Sequence, residues 1–268
     1  MLEVLAKGPL ATVQDRGRPG YAHLGVPRSG ALDPPALERA NRLVGNPSTA
    51  AGLELSLGRF KALFHASTSV AVTGAVATVL VDGEKVPTSF AIEAGQQLEI
   101  GAPSAGVHCY LAVQGGIEVP MVLGSRSTDT LSGLGPAPLQ VGDRLPFGAS
   151  FNEPARATPA ANYPDEIRIR VRFGPRDDWF RSPEELTFHP YRMGMANRLG
   201  ARLTGPQPEP GGLGGVAQRG SGGRCGSGAG RWAADHLPRG SSNHRRVPGN
   251  CRCSPRRPAY GRSGPAWH

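Results

Sequence analysis

Short apolar or alternating runs recur through the first 148 residues, at 4–5, 53–57, 70–72, 78–81, 90–92, 98–100 and 110–113. Turn formers such as Asp82-Gly83 and Ala94-Gly95 separate them, so the pattern predicts a series of short strands. One helix interrupts the series. Asp33 is a good N-cap and Pro34 and Pro35 suit a first turn. Leu37, Ala40, Leu43 and Val44 then form one apolar stripe before Gly45 closes it. A second short helix is predicted to begin at Ser182-Pro183-Glu184-Glu185. Because helices do not alternate with strands, the fold is mainly β and not doubly wound α/β.

The pattern breaks at 149–164, a stretch rich in Pro and Ala that reads as a linker. Beyond it, Ile167-Arg-Ile-Arg-Val-Arg-Phe173 alternates apolar residues with arginine, predicting a half-buried strand with a basic outer face. The expected layout is a complete β unit at 1–148, the linker, a truncated second β unit at 165–207 and a tail at 208–268.

Charge sharpens that last boundary. The tail carries ten Arg and no Lys against Glu209 and Asp235, so it holds +8 of the chain's net +9. It also contains 14 of the 38 Gly and three of the four Cys, with no Ile, Phe or Met. So few large apolar groups cannot offset an ordering cost of about 1–2 kcal/mol per residue, and a disordered tail is expected. The body, at +1, has no electrostatic reason to bind nucleic acid.

The N-terminus lacks the basic-then-apolar layout of a secretion signal, and no run approaches the ~20 apolar residues of a membrane span. A cytoplasmic protein is expected, with Cys109 a buried reduced thiol. Phosphate-loop, dinucleotide, nucleophile-elbow and zinc-protease signatures are missing, as is a Met-Lys-Met biotin attachment site. His23, His65, His108 and His189 show no metal-ligand spacing, and the tail's Cys-x-Cys is weak evidence for zinc. No metal is expected.

Two segments stand apart. Residues 14–33 hold several glycines, arginines and aspartates with almost no core pattern, suggesting a long loop kept in place by polar contacts. Such a loop can offer amides and guanidinium forks to an anionic group; equally, Asp15 and Arg18 can simply pin it. The second runs from Val113-Gln-Gly-Gly-Ile117 to Leu123-Gly-Ser-Arg-Ser-Thr-Asp129. It gathers hydroxyls, amides and one guanidinium, suited to a carboxylate, carbamate or phosphate, or to an internally bonded turn.

In this order the two segments resemble the biotin-dependent carboxyltransferase family, whose members are also known as allophanate hydrolase subunit 2, as the C subunit of 5-oxoprolinase, or as KipA-like. The blocks that carry the resemblance are Thr12-Val-Gln-Asp-Arg-Gly-Arg-Pro-Gly-Tyr21, Gly25-Val-Pro-Arg-Ser-Gly-Ala-Leu-Asp33 and Tyr110-Leu-Ala-Val-Gln-Gly-Gly-Ile117. Leu123-Gly-Ser-Arg-Ser-Thr-Asp129, Phe173-Gly-Pro-Arg-Asp-Asp-Trp-Phe180 and the block from Asn197 to Pro206 continue it. The resemblance implies two cyclophilin-like β-barrel units, the second incomplete here. It also implies a homologous partner of the same type as KipI or the B subunit of 5-oxoprolinase. The whole would be a multi-subunit enzyme that either cleaves 5-oxoproline to glutamate with ATP or transfers a carboxyl group, as in urea carboxylase. ATP or carboxybiotin would then sit on a partner subunit. Asp15, Arg18 and Arg126 become the expected catalytic residues, with Ser125, Ser127, Gly115, Gly116, Tyr110 and Arg198 expected at the substrate. Asn197 and Ala201 depart from the family's usual acidic residue and Tyr, which bears on the surroundings of Arg198.

After Pro206 the family's motifs stop. Codons for Asn243-His-Arg-Arg-Val-Pro-Gly-Asn-Cys251, read one base later, permit the family's Thr-Thr-Gly-Gly-Tyr-Pro. A frameshift between about Gly205 and Arg219 is therefore expected, and truncation there could leave the subunit inactive. Two other readings stay open: a regulatory subunit of a KipI/KipA-type complex, and an Arg/Gly-rich RNA-binding arm carrying Trp232, Tyr260 and Trp267.

Overall fold

The computed structural model describes residues 1–149, 164, 166–174, 177–197, 200–209 and 252–253. The chain divides into two units, Met1–Tyr163 and Pro164–His268. The expected linker falls almost wholly outside the described residues, as does most of the tail.

The first unit contains strands β1 (Leu2–Lys7), β2 (Leu10–Gln14), β3 (Gly52–Ser56), β4 (Phe60–Phe64), β5 (Thr68–Val76) and β6 (Val79–Val81). They are followed by β7 (Glu84–Lys85), β8 (Ser89–Ile92), β9 (Gln97–Ile100), β10 (Ala105–Val113) and β11 (Arg144–Leu145). Two antiparallel sheets result, ordered β11-β1-β4-β9-β6-β7 and β2-β3-β10-β5-β8. Alternation decides what lies between them. Val4, Phe60, Phe64, Leu98 and Ile100 from the first sheet share one core with Val13, Leu53, Leu111, Val70 and Ile92 from the second. Cys109 belongs to that core, and burial pushes its thiol up to about 11, so it stays a thiol at neutral pH.

Helix α1 (Pro34–Leu43) forms as its sequence predicts. The Asp33 carboxylate accepts from the Ala36 amide at 3.2 Å, and Gly45 turns the chain away at φ 73°. Its apolar stripe covers the outer face of the second sheet, where Ala40, Leu43 and Val44 meet Ala71 and Ala112. Asp33→Ala removes the cap and should lower stability by about 1 kcal/mol in urea unfolding, while Asp33→Asn should recover most of it.

Strands β2 and β4 escape the sequence pattern for different reasons. In β4 the apolar Leu63 sits on the half-buried face, so Lys61 alone supplies polar contrast. In β2, Thr12 and Gln14 point to the outer face yet are buried there, so no apolar-in, exposed-out contrast exists to read.

In the second unit, β13 (Arg192–Asn197) and β14 (Gly200–Thr204) pair as an antiparallel hairpin. The strand expected at 167–173 is corrected to two residues, β12 (Arg170–Val171), paired in parallel with β15 (Arg252–Cys253). Ile167 is 63 % exposed and Ile169 44 %, while Val171 and Phe173 are only half-buried, so the first half of the run has no buried face to hold it as a strand. Of the tail expected at 208–268, residues 208–209 and β15 are described. The helix expected from Ser182 is a short 3-10 turn, Pro183–Thr187, with no side-chain cap.

Candidate functional site

The polar loop after β2 folds back over the outer face of the second sheet, and Asp15 is what stitches it down. One carboxylate oxygen accepts from Ser125 Oγ (2.7 Å), Ser127 Oγ (2.5 Å) and the Gly17 amide (2.7 Å). The other accepts from the Arg126 amide at 2.7 Å. Two more bonds close the knot: the Asp15 amide donates to Ser127 Oγ and the Ser127 amide to Ser125 Oγ, each 3.0 Å. With four donors on its two oxygens, the carboxylate is fully engaged within the protein.

Arg18 completes the assembly from within. It is 1 % exposed. Its fork donates to three separate oxygens, those of the Val122 carbonyl, Ser29 Oγ and the Ser127 carbonyl, at 3.3, 3.1 and 2.5 Å. Burying a guanidinium costs several kcal/mol unless its donors are met and its charge offset. The offset arrives one residue away on each side: Ser127, whose carbonyl Arg18 engages, bonds Asp15 through its hydroxyl, and the Ser29 hydroxyl that Arg18 engages bonds Asp129.

Burial alone would raise the Asp129 carboxyl. Bonds from Ser132 Oγ, the Leu131 and Ser132 amides and Ser29 outweigh it and hold the group below its usual range. A depressed carboxyl stabilises the fold above its unfolded value and loses that contribution as pH falls through the folded one. Stability should therefore hold steady above about pH 5 and decline below about pH 4, and Asp129→Asn should flatten that decline in unfolding measured across pH.

Arg126 differs from Asp15 and Arg18. Its Nε donates to the Val119 carbonyl at 2.8 Å and one terminal nitrogen pairs with Glu118. Its side chain remains 19 % exposed, and the other terminal nitrogen has no protein partner among the described residues. Beside it, Leu123 and Gly124 both take positive φ (52° and 74°) in a tight turn closed by paired Val122–Ser125 backbone bonds. The structure thus gathers Asp15, Arg18, Ser125, Arg126 and Ser127 into one assembly.

Tyr110 lies elsewhere on the same sheet face. Its hydroxyl donates to Glu54 Oε2 at 2.9 Å and accepts from the Asp33 amide at 2.8 Å. Burial, and next the Glu54 charge, push the phenol well above its ordinary value, so it stays a donor. Thr12, Glu54, Tyr110 and Thr73 are register partners across β2, β3, β10 and β5, a buried polar row beneath the loop. Sequence reasoning misses Glu54. Its position within Leu53–Leu55, an acidic residue between two core leucines, was the available signal. Gly115 and Gly116 form a third place, the turn after β10, where the Gly115 amide donates to Asn46 Oδ1 at 2.8 Å. Gly148 backs directly onto this turn. Arg198 lies outside the described residues. Among the described residues no cluster of His, Cys, Asp or Glu could hold a metal, and no helix is long and apolar enough to cross a membrane.

Known proteins share this arrangement of sequence and fold. The chain is 39 % identical over 219 residues to the C subunit of 5-oxoprolinase from Escherichia coli, covering 76 % of this chain and 69 % of that protein. It is 38 % identical over 232 residues to urea amidolyase of Lachancea kluyveri, covering 77 % of this chain but 13 % of that much longer protein. Among solved structures, TTHA0988 superposes with a TM-score of 0.70 at 36 % identity, covering 77 % of this chain and 79 % of that one. The K. lactis urea amidolyase superposes with a TM-score of 0.70 at 33 % identity over 78 % of this chain and 14 % of its own. Residues 24–221 match the family described as carboxyltransferase domain, subdomain A and B. That match spans Ser125–Arg126–Ser127 and begins just after Asp15 and Arg18, and with it the chain belongs to the carboxyltransferase domain family.

Proposed function

We propose that this chain is one subunit of a multi-subunit enzyme acting on an amide or lactam carbonyl. The first reading is 5-oxoprolinase, converting 5-oxoproline to glutamate, and the second is carboxyl transfer of the urea carboxylase type. The relatives support membership of such an enzyme, and the observation that carries the site assignment is Arg126. It is the one guanidinium of the Asp15 assembly with unengaged donors and solvent access. Negative charge develops on a carbonyl or ureido oxygen as the carbon is attacked or its nitrogen is carboxylated. A held guanidinium beside backbone amides lowers the cost of that charge. In this reading Asp15 and Arg18 are positioning residues: they fix Ser125, Arg126 and Ser127 without touching substrate. ATP or carboxybiotin, which supplies phosphoryl or carboxyl transfer, is held by a homologous partner of the same type as KipI or the B subunit of 5-oxoprolinase.

The test is 5-oxoproline-dependent ATP hydrolysis, and urea carboxylation in parallel, with partner subunits present. Arg126→Met should lower kcat by about 10²–10³-fold with folding unchanged. Full activity in that variant removes Arg126 from the site. Partner binding without turnover of either substrate favours the regulatory, KipA-type alternative instead.

The tail belongs to the same proposal: from about residues 205–219 onward its frame differs from the family's. Sequencing the gene across that region should show a one-base discrepancy, and an unshifted read overturns it.

A further inference from the structure

We infer that the seam between Gln14 and Thr128 binds a buried water molecule. Gln14 is 0 % exposed and Thr128 1 %. Gln14 spends its amide N–H groups on Thr12 Oγ1 and the Thr128 carbonyl, both at 3.1 Å. That fixes the amide's orientation, since turning it over would set Oε1 against the Thr128 carbonyl oxygen. Gln14 Oε1 is then left without a protein partner, and so is the neighbouring Thr128 Oγ1. Each such atom costs about 1–3 kcal/mol when unmet, and folded interiors meet them through backbone, side chains or bound water.

The chemistry of the two atoms selects the ligand. One oxygen can only accept, and the other is a hydroxyl able to accept or donate, so the ligand must donate at least one hydrogen bond. Anions fail that requirement. A cation would share the interior with the Arg18 guanidinium, which already bonds the carbonyl of the adjacent residue, Ser127. A neutral donor and acceptor of small size remains, which is water, whose buried sites typically supply two to four polar partners.

The water has a structural consequence. Gln14 ends β2 and Thr128 follows directly on the Asp15 assembly, with the Thr128 amide donating to the Val13 carbonyl at 2.9 Å. The site therefore lies where the polar row beneath the loop meets the segment carrying Ser125, Arg126 and Ser127. It owes nothing to the enzyme assignment and stands if that assignment fails.

A crystal structure of the full chain at about 1.5 Å or better should show one water within about 3.2 Å of both oxygens. Thr128→Val, which keeps shape and removes the hydroxyl, should expel it and lower the unfolding midpoint by about 2–4 °C. A dry seam overturns the inference. So does a Thr128→Val protein as stable as the original, because an unpartnered hydroxyl would be relieved by its own removal. Should that variant fail to fold, water-to-amide cross-relaxation NMR on the original chain reads the same site. A long-lived water signal on the Gln14 side-chain amide is expected, and its absence overturns the inference.

Discussion

Asp15→Ala should destabilise the first unit by on the order of 4 kcal/mol, a large share of the 5–15 kcal/mol that holds a typical domain together. The substitution strips an acceptor from two hydroxyls and two backbone amides at once, at a residue only 7 % exposed. It also takes away one of the two carboxylates that lie one residue from Arg18, the one reached through Ser127, leaving a buried positive charge less compensated. Asp15→Asn keeps the shape but turns one accepting oxygen into an NH2 group facing donors, and should cost about 2 kcal/mol. Urea unfolding of the three proteins decides the point. Equal midpoints would mean that the knot contributes no stability and that its carboxylate is kept for chemistry.

Gly115→Ala is the second large effect, and its cause is steric. Gly115 holds φ 89°, and a Cβ there would lie 2.1 Å from the Gly148 carbonyl oxygen. Backbone cannot swing aside as a side chain does, so conformational strain and overlap add, for about 3 kcal/mol or more. Gly116 shares the positive φ, at 74°, but its Cβ would meet the Ala50 methyl at 3.1 Å, a milder conflict. Gly83, at φ 88° with nothing within 4 Å, isolates the conformational part alone, about 1 kcal/mol. The expected order of loss is Gly115, Gly116, Gly83. If all three alanine variants unfold alike, the close approach of 115 to 148 is not what holds this turn. Since Gly148 already occupies the space over Gly115, the turn serves the fold by joining β10 to the segment after β11.

What the sequence made legible follows from contrast. The capped helix α1 and the central strands were readable because apolar residues face inward and polar ones meet solvent or a cap. Two glycine-rich polar segments that bury little on their own were readable as specialised, but Asp15, Arg18, Ser125, Arg126 and Ser127 came together as a group only through the family resemblance. Which of the five keeps solvent access was not readable, because a short string of Arg, Ser and Asp looks the same whether its donors point outward or into one another. Glu54, Thr12 and Gln14 were missed on the same ground: they are polar residues buried under a polar loop, and alternation says nothing about a face covered by loop instead of core. The isoleucines at 167 and 169 failed in the opposite sense. Their alternation is genuine, but a strand's pattern promises only that a face could be buried, and here both side chains are largely open.

The Asp15 knot ties residues 15–18 to 125–127, about 110 positions apart along the chain. A ribosome adding about 5–20 residues per second needs roughly 5–20 s to supply the second partner after the first. Throughout that interval the loop at 14–33 has neither Ser125 nor Ser127 to bond, and the Arg18 guanidinium has no carbonyl of Val122 or Ser127 to enter. The early half of this unit must wait in water with its charges hydrated, and the interior site is sealed only as the segment at 122–127 arrives.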